Sequence, residues 1–139
     1  MNLTDAKQFI DEHQTCVIAT TSSDLQPEAA TVGVSCDDQF QLLIGTNRST
    51  RKAQNMLTNK RVALVIETEG PRTLQIDGEA TEISDDSAHE RIEAHFAKVP
   101  SAKQYAEEEG QTYFSITPKW FRFTDYTKTP NIFETKDFS

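Results

Sequence analysis

Acidic residues are missing from one long stretch of an otherwise acidic chain. From Gln39 to Ile66 there is no Asp or Glu, although the whole chain carries a net charge of −8. Other scarcities narrow the field. There are two cysteines, Cys16 and Cys36, in 139 residues. With no secretory signal beside them, they read as reduced thiols of a cytoplasmic protein and not as a disulfide framework. Cys16 opens a strand-like run and is expected to be half-buried; nothing marks either thiol as a nucleophile. No apolar run approaches the roughly 18 residues that a membrane helix needs, and the N-terminus is polar, so neither a span nor export is expected. The apolar fraction is low at 36%. Those residues cluster into strand-length runs, which argues against disorder. A pI near 4.8 argues against nucleic acid as a partner.

Catalytic signatures are also lacking. No G-x-S-x-G, Walker loop, G-x-G-x-x-G or H-E-x-x-H occurs. His89 and His95 fall about 240° apart around one helix and cannot share a metal through it. They read as surface residues, and His13 has no ligand-like neighbour, so no metal site is expected. Glu107, Glu108 and Glu109 read as a solvated charge run. No catalytic residue can be named, and an enzyme of this sequence would leave its chemistry to a cofactor.

The apolar pattern gives the organisation. Residues 2–13 have helical spacing, with Asn2 or Thr4 as cap. Strands are expected at 16–21, 29–35, 40–46, 62–66 and 72–83, with turns at 22–27 and 36–39. A helix over 49–57 should turn Ala53, Met56 and Leu57 inward and stop at a left-handed Asn59. A helix from Ser84 to about Ala97 should bury Ala88, Ile92 and Phe96. A short acidic helix over 101–109, strands at 113–116 and 120–126 separated by Pro118, and a loosely held tail over 127–139 complete the chain. The strands follow in hairpin order, which favours an antiparallel barrel or sandwich in one domain, 1–139. Val62–Ile66 is apolar at every position, as in a strand buried on both faces or covered by a second subunit.

The acid-free stretch holds five basic residues: Arg48, Arg51, Lys52, Lys60 and Arg61. Its centre, Gly45-Thr46-Asn47-Arg48-Ser49-Thr50-Arg51-Lys52-Ala53, reads as a strand end, a hydroxyl-rich turn and a first helical turn. Unpaired N–H groups, hydroxyls and two adjacent cations there suit a dianion such as a phosphate monoester. A capped helix with solvated cations would have the same sequence, and composition leaves both open.

Cys16-Val17-Ile18-Ala19-Thr20-Thr21 with the following turn and the Ala30–Val34 strand resembles the opening hairpin of the pyridoxamine 5′-phosphate oxidase-like, FMN-binding split-barrel family. Thr46–Ala53 with Asn59–Leu64, Ile76–Ala80 and Ile116–Trp120 resemble later segments of that family, in order. The resemblance implies a six-stranded antiparallel split β-barrel with a few flanking helices. It also implies a homodimer with FMN at the subunit interface. On this likeness Thr46, Thr50, Arg51 and Lys52 would hold the flavin phosphate, with Asn47 and Ser49 also in the cofactor site. Ala30, Thr31, Val32, Gly33 and Val34 would line the ring, with Thr73 near it and Trp120 reaching it from the other subunit. The family oxidases have further cations bracketing the second strand, where this chain has Ala30 and Val34 or Ser35. They also have a Trp and an Arg near the C-terminus, where it has Thr124 and Glu134. The chain therefore resembles a small relative and not a true pyridoxamine phosphate oxidase. The implied function is an FMN-dependent oxidoreductase with an unnamed substrate, NADH or NADPH being a reductant to test. The alternatives are a flavin carrier or redox sensor without turnover, and a deazaflavin or heme binder. Heme is disfavoured here because all three histidines fall on helices away from the inferred groove.

Overall fold

The computed structural model describes residues 1–67 and 70–139. The first helix, α1 (Leu3–Asp11), starts at a reciprocal cap in which the Asn2 side chain accepts from Asp5 N–H and the Asp5 carboxylate accepts from Asn2 N–H, both at 3.0 Å. It buries Ala6, Phe9 and Ile10 against the sheet, and Phe9 stacks on Phe123 with ring centroids 5.1 Å apart.

Strands β1 (Thr15–Thr21), β2 (Pro27–Gly33), β3 (Ser35–Cys36), β4 (Leu42–Asn47), β5 (Arg61–Glu67), β6 (Arg72–Ile83), β7 (Gln111–Asp125) and β8 (Ile132–Thr135) form one antiparallel sheet. Its order is β2-β1-β5-β6-β7-β4-β3, with β8 on β7. The sheet curls into a half-barrel around Ile18, Ile44, Leu64, Ile66, Leu74, Ile76, Phe114, Ile116 and Phe121. This is the split-barrel α+β fold expected from the sequence, its six long strands supplemented by the short β3 and β8. In the pairing order β2 and β4 stand near opposite ends, so the barrel is not closed by ladder hydrogen bonds between them. That open seam positions the site described below.

Helix α2 (Arg51–Thr58) follows β4, capped by Thr50, whose hydroxyl accepts from Ala53 N–H at 3.3 Å. Helix α3 (Asp85–Lys98) and a 3-10 helix (Pro100–Tyr105) lie between β6 and β7.

Several local expectations are corrected. The segment from Ala29 does not run as one strand to Ser35. Val34 N–H turns back to Gln14 C=O at 3.0 Å, and the chain then pairs with β4 as β3. Leu57 is 42% exposed, and Asn55 is buried instead. Asn55 earns that place by donating to Thr20 Oγ1 at 2.9 Å and Glu28 Oε1 at 2.8 Å. Asn59 is extended (φ −137°, ψ 106°), not left-handed. Pro118 does not divide β7, because β7 carries an extra residue, Lys119, between the pairs Asp77–Trp120 and Gly78–Pro118, and this bulge accommodates the proline. The 127–139 tail carries β8 and packs Phe133 and Phe138 on the core. In α3 the backbone is non-helical at Ala88 (φ −130°), and the buried stripe runs Ala88, Ile92, His95, Val99, with Phe96 only half-buried.

Candidate functional site

The seam between β2 and β4 opens into a cavity of about 400 Å³. That lies within the roughly 300–1,000 Å³ typical of small-molecule sites. One wall is Thr31, Val32 and Gly33 of β2, with Thr15 of β1 beside them; Thr15 and Gly33 are register partners. The facing wall is Gly45, Thr46 and Asn47 of β4, with Lys52 from the first turn of α2. Tyr113 and Gln111 come from β7, where Tyr113 pairs with Gly45. His95, Val99 and Tyr105 close the cavity from α3 and the 3-10 helix.

Two glycines keep this space open. A Cβ on Gly33 would lie 3.0 Å from Val99 Cγ1, and one on Gly45 would lie 3.0 Å from Tyr113 Cε1 and 3.2 Å from Gln111 Nε2. A side chain at either position would push the walls into the cavity.

The acid-free stretch resolves into cations with different fates. Arg48 is locked to Glu82 by two contacts of 2.9 Å, and Thr112 donates to the same carboxylate at 2.6 Å. Arg48 borders a larger concavity of about 650 Å³ over α3 and β6, but its charge is already answered there. Arg51 is 77% exposed and pairs with Glu28 at 3.0 Å. Lys60 pairs with Glu79 at 3.4 Å. Lys52 has no ion-pair partner among the described residues, and it is the cation lining the seam cavity at its β4–α2 side. Beside it the Thr46 and Thr50 hydroxyls share a hydrogen bond of 2.9 Å.

Of the residues inferred from the sequence, Thr31, Val32, Gly33, Thr46, Asn47 and Lys52 converge on the cavity. Thr50 stands behind Thr46 as the α2 cap, and Ser49 is exposed in the turn. Arg51 is directed to Glu28. Val34 is in the core and Ala30 does not line the cavity. Thr73 lies on the far part of β6 with its hydroxyl bonded to Ile66 C=O at 3.2 Å. Trp120 belongs to the outer sheet face near Val17 and Ala63, and its indole N–H donates to Glu134.

His95, read from the sequence as a surface residue, is 1% exposed and lines the cavity. Its Nδ1 lies 2.7 Å from Ser35 Oγ. Burial, with the Lys98 charge nearby, pushes its pKa down to about 4, so the ring is neutral at pH 7. Tyr105, Gln111 and Tyr113 also went unmarked in the sequence. Tyr113 could have been found from its β7 position opposite Gly45; the others sit where only the fold brings them.

The thiols take no part. Burial pushes the Cys16 and Cys36 pKa values up to about 12. No helix of the described residues is long and apolar enough to cross a membrane.

Known structures share this architecture. A heme binding protein from Mycobacterium smegmatis superposes with a TM-score of 0.81 at 16% identity, over 95% of this chain and 56% of that one. The heme storage protein HutZ from Vibrio cholerae gives 0.73 at 18%, over 85% and 91%. A NimC/NimA family protein from Clostridium acetobutylicum gives 0.73 at 20%, over 97% and 94%. At such identities the likeness establishes the fold. No curated protein matches the chain in sequence. The family model for pyridoxamine 5′-phosphate oxidase matches residues 4–125. That span takes in all but the first residue of α1 and every long strand, and the chain belongs to the pyridoxamine 5′-phosphate oxidase family.

Proposed function

We propose that the chain binds FMN in the seam cavity and works as a flavin-dependent oxidoreductase. The observation that carries this is Lys52. It is a cation without an ion-pair partner among the described residues, set beside the Thr46 hydroxyl at the start of α2, in a cavity whose glycines leave room for a flat ring. Lys52 and Thr46 would grip the phosphate by charge-assisted hydrogen bonds. Thr31, Val32 and Gly33 would lie along the ring, with Tyr105 and Tyr113 excluding water. The flavin supplies hydride or electron transfer when bound. The residues of the chain hold, orient and dry it.

The active species in this reading is a homodimer. The outer face of β1 and β5 carries Val17 opposite Val65 and Ala19 opposite Ala63, with Trp120 beside them, and Val17 is 39% exposed. Such a patch suits a second subunit. Sedimentation should give twice the chain mass, and Val17→Lys should shift it to the monomer; a monomeric parent protein would overturn the dimer.

Anaerobic mixing of the FMN-loaded protein with NADH or NADPH tests turnover: bleaching of the flavin supports an oxidoreductase, and persistent yellow colour a carrier or sensor. Heme is the second reading. It is favoured by the uncharged His95 in the cavity wall and by the heme-binding neighbours of the same fold. A Soret band on adding hemin, with no quenching of added FMN, would select it.

A further inference from the structure

We propose that His95 contacts the ligand of the seam cavity, its ring set by Ser35 so that Nε2 meets the polar edge of the bound flavin ring. The inference rests on the flavin reading of the cavity. His95 is almost wholly buried, yet only Nδ1 is satisfied, by Ser35 Oγ at 2.7 Å. Nε2 has no hydrogen-bond partner among the described residues. His95 lines the cavity, and its Nε2 is not one of the nitrogens sealed from solvent without a partner, so it is reachable from the cavity, where a ligand can hydrogen-bond it.

The position of the ring fits that role. Ser35 lies in β3 and pairs with Leu43 near the start of β4, so His95 is anchored at that end of the strand, whereas Lys52 enters beyond its other end, past Thr46 and Asn47. A ligand gripped by its phosphate at Lys52 and lying along Thr31–Gly33 extends towards His95. Lys98 is kept from competing for the ring, because its ammonium donates to Ile10 C=O at 2.7 Å and Val34 C=O at 2.8 Å. A neutral imidazole bonded to a hydroxyl presents Nε2 as donor or acceptor, depending on which partner supplies the proton. The pyrimidine edge of a flavin has two carbonyls flanking an N–H and can answer either form. Ser35 is the positioning residue, and its hydroxyl decides the tautomer.

The test uses the 139-residue chain with 15N-labelled histidine, titrated with FMN while flavin fluorescence is followed. The His95 Nε2 resonance should move as FMN saturates. His95→Phe should weaken FMN about three- to tenfold, the worth of one neutral hydrogen bond, and His95→Gln should recover part of it. Ser35→Ala should alter the Nδ1 and Nε2 shifts of His95 before any ligand is added. If FMN is quenched but the Nε2 resonance stays still and His95→Phe binds like the parent, His95 is only a strut between α3 and β3 and the inference is overturned. If FMN is not quenched at all, the flavin reading falls and the inference with it. Circular dichroism of each variant confirms that the loss is not one of folding.

Discussion

Replacing Lys52 by Met removes the cation that lines the cavity among the described residues and keeps its aliphatic stem. A charge-assisted hydrogen bond is worth about 1.5–3 kcal/mol. Lys52 is half-exposed, so screening favours the low end, and the expected loss of FMN affinity is about tenfold. Arg51→Met should behave differently. Arg51 is mostly exposed and already neutralised by Glu28, and exposed pairs contribute about 0–1 kcal/mol, so FMN affinity should change by less than about threefold. Glu28 would keep its hydrogen bond from Asn55, so α2 stays docked. The assay is quenching of flavin fluorescence at fixed ionic strength, with riboflavin as the control that lacks the phosphate. Lys52→Met should leave riboflavin binding unchanged. The reasoning is refuted if Arg51→Met costs more than Lys52→Met, or if Lys52→Met weakens FMN and riboflavin alike.

Three further outcomes concern the scaffold. His95 has a folded pKa of about 4 against about 6.5 in the unfolded chain, so the unfolded state holds more protons between those values. Stability should therefore fall as pH drops through that window, by on the order of 2 kcal/mol from pH 7 to pH 5 in urea unfolding. His95→Gln should lose that component; an unchanged slope would contradict the assignment. Gly78→Ala would place a Cβ 2.7 Å from Ile116 Cγ2 and 2.9 Å from Thr117 C=O. It should destabilise by about 1–3 kcal/mol in the same assay, and a neutral result would mean that the bulge beside Pro118 relaxes freely. Both thiols should resist a disulfide reagent at pH 8 until denaturant is added, and prompt labelling of the native protein would count against their burial.

What could be read from the sequence followed the range of each signal. Local periodicity and the strand at Gly45–Asn47 leading into a capped helix were enough to place Thr46 and Lys52 together, because a few residues of backbone connect them. Thr31–Gly33 were marked as a wall only by the resemblance of this strand to the family's opening hairpin. Arg51 and Lys52, adjacent in sequence, could not be told apart. The helix turns them to different sides, and Glu28, from another strand, claims Arg51. His95 was misread because helical spacing from Ile92 admits either His95 at i+3 or Phe96 at i+4 on the inner face, and the sequence reading gave that place to the more apolar Phe96. Pro118 read as a break because its missing N–H is accommodated beside a bulge at Lys119, which only the pairing of β7 with β6 reveals. The tail gave no local sign of β8, which exists by pairing with β7.

The central claim is that the seam cavity holds a phosphorylated flavin by Lys52 and its hydroxyl neighbours. Parallel fluorescence titrations of the purified protein with FMN and with riboflavin test it most directly. The expected result is one FMN bound per chain, about tenfold or more tighter than riboflavin. No quenching of FMN, or equal affinity for the two, would contradict it.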